Sequence, residues 1–193
     1  SFDRKTNKLI QVVDCKLVNV TGELDAKFLL YKEKIDIQVV NQKEITITNN
    51  KINYILRKTR FHRVTAIEIF TYDRMSYFID FQNEVIWNSV IDHLLKRVKC
   101  SNFQPKLSFS SYFHTFNFTN LWRQREISNF EYLMHINILS GRSFNDLSQY
   151  PFLPWILTDY HSPKLDLNDE SIYRPLCKPV GALDSSNLKK IQK

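Results

Sequence analysis

Glycine is nearly missing from this 193-residue chain: Gly22, Gly141 and Gly181 are its only three, where average proteins carry roughly 7%. A loop that cradles phosphates through backbone N–H groups needs several glycines close together, so phosphate-loop and dinucleotide-binding readings fail on inventory alone. Cysteine is equally sparse. Cys15, Cys100 and Cys177 are an odd number, far apart, with no metal-like spacing, which suits a reducing compartment. No run of about 18 apolar residues occurs, as a membrane-crossing helix would require. The N-terminal Ser1-Phe2-Asp3-Arg4-Lys5 lacks the apolar centre of a signal peptide. The expectation is a soluble cytoplasmic protein.

Catalytic signatures are missing too. His62, His93, His114, His135 and His161 are dispersed, without the paired spacing that assembles a metal site. There is no G-x-S-x-G elbow and no cysteine in a nucleophile context. No metal, no cofactor and no enzyme activity is expected.

What remains is apolar and aromatic. Hydrophobic residues make up 43% and charged residues 24%, with 14 Phe and 9 Tyr, a globular composition. The formal net charge is +7, and the surplus concentrates in Arg57-Lys58-Thr59-Arg60-Phe61-His62-Arg63. Arg57, Lys58, Arg60 and Arg63 are therefore candidate contacts for an acidic partner or an anionic surface, against the plainer reading of a solvated hairpin. Nucleic acid is not the expected partner, because the aromatics sit at core-like spacings and do not interleave with this run.

Residues 8–82 read as short strands in close succession: Leu9–Val13, Lys16–Val20, Gly22–Leu30, Ile35–Val40, Glu44–Thr48, Ile52–Arg57, Thr65–Thr71 and Ser76–Phe81. The period then changes. Trp87, Val90, Ile91, Leu94, Leu95 and Val98 predict an amphipathic helix over 84–98, with Trp87 and Leu94 facing inward. About seven strands followed by one helix is the order of a bent antiparallel barrel plugged by a C-terminal helix, an α+β, PH-like fold.

Residues 100–118 read as a linker whose aromatics (Phe109, Tyr112, Phe113, Phe116, Phe118) should pack on a neighbouring surface. Ser128-Asn129-Phe130-Glu131 fits a capping box. The helix after it, Phe130 to about Ser140, is apolar nearly all round, which predicts burial on most sides, with Gly141 closing it. His135 within it is expected to be a hydrogen-bonded core histidine. Pro151 and Pro154 impose extended backbone on Gln149–Trp155. Arg123, Arg125 and Arg142 read as structural, with a buried Arg142 donating to carbonyls of such extended chain.

Three blocks in this region, Thr119–Met134, Gly141–Leu147 and Gln149–Trp155, closely resemble the opening of BEACH domains. Leu165-Asp166-Leu167 and Lys178-Pro179-Val180-Gly181-Ala182-Leu183 extend the resemblance. The residues carrying it include Trp122, Arg125, Asn129, Phe130, Tyr132, Gly141, Arg142, Asn145, Asp146, Tyr150, Pro151, Pro154, Trp155, Pro179 and Gly181, all read as structural. Upstream, Arg60-Phe61, Thr65–Phe70 and Ser76-Tyr77-Phe78 resemble the PH-like domain that precedes BEACH. The resemblance implies a PH-like domain over 8–99, a linker over 100–118 and the start of a BEACH domain over 119–193, truncated at Lys193. It further implies a non-catalytic scaffold of the neurobeachin and Chediak-Higashi type in vesicle trafficking and endosome or lysosome dynamics. WD repeats, the rest of BEACH and unidentified proteins are its implied partners. Lipid-binding PH domains set a Lys about ten residues before a basic residue, any residue and Arg. Here Lys16 and Lys27 fit, but Leu29 stands third, so headgroup recognition is the alternative reading and not the leading one.

Overall fold

The computed structural model describes residues 8–97 and 117–184. The chain divides into two compact units, Ser1–Pro151 and Phe152–Lys193.

Seven strands open the first unit: β1 Leu9–Asn19, β2 Gly22–Tyr31, β3 Lys34–Val39, β4 Ile45–Thr48, β5 Ile52–Arg60, β6 Arg63–Thr71 and β7 Ser76–Asp80. All pair antiparallel in the order β4-β3-β2-β1-β7-β6-β5. β1 is the corner of the fold. It runs beside β2 for its whole length, yet joins β7 only through Lys16, Leu17 and Val18.

The two strands expected over 9–13 and 16–20 are one. Val13, Cys15 and Leu17 keep the inward alternation unbroken, and Asp14 and Cys15 pair with Lys27 and Ala26. Asp14, the apparent break in the sequence, lies on the exposed face.

Helix α1 spans Glu84–Leu95, three residues shorter than expected; Val98 lies outside the described residues. Asn83 caps its start, its Oδ1 accepting from Val85 N at 2.8 Å and Ile86 N at 3.3 Å. Trp87, Val90, Ile91 and Leu94 are buried against Phe28, Ile55, Ile67, Ile69 and Ile79 in one core, as the inward spacing predicts. Trp87 Nε1 donates to Ala66 O at 2.9 Å, so the indole fills the core without burying an unpaired donor.

Residues 100–116 of the expected linker are outside the described residues. Helix α2, Phe118–Arg123, and helix α3, Asn129–Leu139, follow. The capping box forms as predicted: Ser128 Oγ accepts from Glu131 N at 3.1 Å, and Ser128 N donates to Glu131 Oε2 at 2.8 Å. Gly141 follows with φ +90°, the left-handed conformation expected at that end. Burial of α3 is less than expected. Only Asn137 and Leu139 are buried, and Phe130 is 61% exposed. Its C-terminal end meets the sheet through Leu139 and α2 lies against Tyr132 and His135, while Phe130 and Ile136 remain exposed.

Among its described residues the second unit is mostly irregular, with a single bridge, Leu157 to Tyr173, and two short 3-10 turns at Glu170–Ile172 and Val180–Ala182. Arg174 gathers it by donating to Trp155 O and, at 2.9 Å, to Lys178 O.

Leu94 is fully buried in the barrel core. Leu94→Ala should lower stability in urea unfolding by about 2–5 kcal/mol. A loss under about half a kcal/mol would mean that α1 does not plug the barrel.

Candidate interaction site

β5 and β6 alternate, so one face of each enters the barrel core and the other faces outward. The outward set is Tyr54, Leu56 and Lys58 on β5, opposite Phe70, Glu68 and Ala66 on β6. Apolar members of this face meet the helices. Leu56 packs with Leu139 of α3, joined by Tyr54, Phe70, Ile138 and Phe118. Tyr54 and Phe70 stack at 4.6 Å, and Phe118 stacks on His135 at 4.1 Å. Among the described residues His135 has an aromatic neighbour and not the expected core hydrogen bond. Burial lowers its pKa, opposed by Glu131.

In the middle of this face sits a charge pair. Lys58 and Glu68 are 0% and 1% exposed, with Nζ 2.8 Å from Oε2. Lys58 Nζ also donates to Arg142 O at 2.8 Å and Gly141 O at 3.2 Å. An ammonium has three protons, and here it finds three acceptors. The other Glu68 oxygen accepts from Ser143 Oγ at 2.6 Å and Asn145 Nδ2 at 2.9 Å, and Asn145 Nδ2 also reaches Ser76 Oγ at 2.8 Å. Burial pushes the Lys58 ammonium down, while Glu68 and Asp146 push it up.

A second cluster lies beside the first. Arg60 pairs with Glu23 of β2 and, at 2.5 Å, with Asp146. Asp146 Oδ1 accepts from Ser148 N at 2.9 Å and Oγ at 2.7 Å; its Oδ2 accepts from Gln149 Nε2 at 3.0 Å. Gln149 Nε2 in turn reaches Thr59 O at 3.1 Å. Burial alone would raise the Asp146 pKa, but the bonds from Ser148, Gln149 and Arg60 outweigh it and hold the carboxyl below its usual range. Segment 141–149 is therefore bound to β5 and β6 by side chains, not by strand pairing.

This arrangement corrects the reading of the basic run. Lys58 and Arg60 are spent inside the molecule and are not available to an acidic partner or a phosphate. Arg57 is half-buried; Arg63 is exposed beside the turn in which Phe61 and His62 take φ of +47° and +64°. Arg142 does donate to an extended segment, Nη1 to Tyr150 O at 3.0 Å, but from an exposed position and not a buried one. Asn145 and Asp146 stand in the two charge clusters. Trp122 stacks on Tyr132 at 4.8 Å and donates to Asn129 Oδ1 at 2.7 Å, while Arg125 and Phe130 are exposed. Pro151 ends the first unit, half-buried. In the second unit, Pro154 and Trp155 are exposed, Trp155 lying edge-on to Tyr160, and Pro179 precedes the turn holding Gly181.

Glu68 and Ser143 escaped the sequence reading. A signal for Glu68 existed: a lone carboxylate in Ala66–Phe70, which alternation sets between Ala66 and Phe70 on an outward face that is otherwise apolar. Lys16 and Lys27 line a cavity of about 410 Å³, but Asp14 and Asp25 line it as well, and Lys16 Nζ pairs with Asp25 at 2.6 Å. Leu29, at the third position of the lipid-binding spacing, is buried. Among the described residues no group of three His, Cys, Asp or Glu could hold a metal, and no helix is long and apolar enough to cross a membrane.

Residues 5–95 match the family model of the PH domain associated with Beige/BEACH, and residues 120–193 match that of the Beige/BEACH domain. The chain belongs to the BEACH family. A BEACH domain-containing protein of Dictyostelium discoideum, lvsE, is 32% identical over 215 aligned residues, which cover 90% of this chain. The chain spans only 10% of that relative's length. Among solved structures, the C-terminal PH domain of pleckstrin is 12% identical with a TM-score of 0.37, covering 48% of this chain and 99% of its own. The C-terminal domain of an unknown Leishmania infantum protein is 15% identical with a TM-score of 0.40, covering 46% and 85%. The PH-like fold of this BEACH-family chain rests on its strand order, its plugging helix and the family match.

The sign of the Asp146 shift fixes a pH dependence. A carboxyl with a lowered folded-state pKa adds stability above its ordinary value of 3.8, and that stability is lost as pH falls through the lower folded value. Asp146→Asn should therefore destabilise the chain at pH 7, and its gap from the native protein should narrow on acidification below about pH 4. Urea midpoints at pH 7 and pH 3 check this; a gap that stays constant would show that the carboxylate charge is irrelevant.

Proposed function

We propose that this chain is a non-catalytic scaffold segment of a trafficking protein, in which the PH-like sheet and the opening of BEACH bind protein partners as one composite surface. The observation that supports it is the buried Lys58–Glu68 pair, whose remaining bonds go to Gly141, Arg142, Ser143 and Asn145. Lifting residues 141–145 off the sheet would take from Lys58 two of its three acceptors and from the other Glu68 oxygen both of its side-chain donors. A scaffold gains from this, because a surface spanning both segments keeps one shape. In this reading the protein works in vesicle and endosome or lysosome membrane dynamics, cytoplasmic and peripheral to membranes, and its family membership supports that assignment. Its partners are proteins, including the rest of BEACH and WD repeats.

Lys58→Met keeps an unbranched side chain, one heavy atom shorter, and removes its charge. Hydrogen exchange should then show protection falling together in β5, β6 and α3, with a stability loss of about 3–5 kcal/mol. If α3 loosens while β5 and β6 keep native protection, the segments are independent and the composite surface is lost as an explanation.

Phosphoinositide binding, the alternative, is disfavoured by the equal numbers of cations and carboxylates around the Lys16 and Lys27 cavity. Liposome co-sedimentation should give weak binding that falls with salt, as expected for exposed charges screened over about 8 Å, and little preference among phosphoinositide isomers. Tight, isomer-selective binding would overturn this.

A further inference from the structure

α2 and α3 enclose a groove of about 560 Å³ lined by Trp122, Arg123, Arg125, Ile127, Ser128 and Asn129. Its floor is tied by contacts within the two helices. The Trp122 ring lies within 9° of parallel to Tyr132, its Nε1 is held by Asn129, and the Tyr132 hydroxyl meets Thr119 Oγ1 at 3.3 Å. Two guanidinium groups border it. Neither the Arg123 nor the Arg125 side chain forms a hydrogen bond or ion pair with any described residue, unlike Lys58 and Arg60. The nearby carboxylate of Glu131 is occupied by Ser128. Arg125 also takes φ +61°, a left-handed conformation that glycine holds without strain. A strained backbone that carries a cation with no partner among the described residues into a groove is a reason to look for its counter-charge.

We infer that this groove docks an acidic peptide segment of a protein partner, with an apolar side chain against Trp122 and Ile127 and carboxylates held by Arg123 and Arg125. Trp, Tyr and Arg are the residues that dominate interface energies, and an Arg fork matches a carboxylate in two hydrogen bonds. The site carries two positive charges and no carboxylate in its lining, so an acidic segment is the complementary one. It names a place for the protein binding proposed above and rests on that reading. The two fail separately, since exchange protection in β5 and β6 is blind to this groove.

The test is NMR titration of the 193-residue chain with the blocked peptide Glu-Glu-Leu-Phe-Glu-Glu, with Lys-Lys-Leu-Phe-Lys-Lys and phosphatidylserine vesicles as comparisons. The acidic peptide should shift the Trp122 indole N–H and the amides of 123–129. Arg125→Gly should weaken binding at least about tenfold without lowering the melting temperature, because it relieves the left-handed strain. Arg123→Glu with Arg125→Glu should transfer the preference to the lysine peptide. The proposal is overturned by an acidic peptide that shifts nothing here, by equal response to both peptides, by indifference to Arg125→Gly, or by vesicles that bind where the acidic peptide does not.

Discussion

The first unit depends on one buried ammonium. Lys58 has no access to water, and an unpaired charge there would cost several kcal/mol. Glu68 supplies one acceptor, and the carbonyls of Gly141 and Arg142 supply the other two. Those carbonyls point at Lys58 because α3 ends where it does. Its start is set by the Ser128 and Glu131 capping box, its end by the left-handed Gly141. Leu139, one residue before the end cap, then falls on Leu56, two residues before Lys58 on the same face of β5. Apolar packing and charge pairing thus fix the same register between helix and strand.

The pairs also change what the net charge means. A formal +7 suggests a basic patch at residues 57–63, yet two of its four cations face inward onto Glu68, Glu23 and Asp146. Cations consumed by internal carboxylates do not steer ligands. Arg123 and Arg125, by contrast, are exposed and form no hydrogen bond or ion pair with a described residue, in a stretch where the sequence offers no run of positive charge to mark them.

The strands, α1 and the capping box were legible because their causes are local: alternation, a 3.6-residue period, and side chains three residues apart. The merged β1 shows the limit of that method, since Asp14 looks like a break until its neighbours Val13, Cys15 and Leu17 are seen to keep facing inward. The Lys58 clamp was beyond it. Lys58 and Gly141 are 83 residues apart, and nothing near either one announces the other. For α3, an apolar composition on every side was read as burial on every side, but composition reports which surfaces seek cover, not which of them the chain itself covers. Arg125, read as structural, is instead exposed at a left-handed turn position that no neighbouring residue marks in the sequence.

Clamp and groove occupy opposite ends of α3, and this gives the fold its functional logic. At the C-terminal end, Gly141 and Arg142 are tied to Lys58; at the N-terminal end, Asn129 holds the indole of Trp122. An 11-residue helix is about 16 Å long, and it is stiff over that length. Fixing one end on β5 therefore fixes the direction in which the other end presents Trp122 and its flanking arginines. Binding to a surface already held in place avoids the entropy of ordering it on contact. A solvent-exposed ion pair, worth at most about 1 kcal/mol, would give a loose hinge at that joint. Burying Lys58 and Glu68 stiffens it, because slippage between helix and strand takes from a buried ammonium the two carbonyls that complete its bonds.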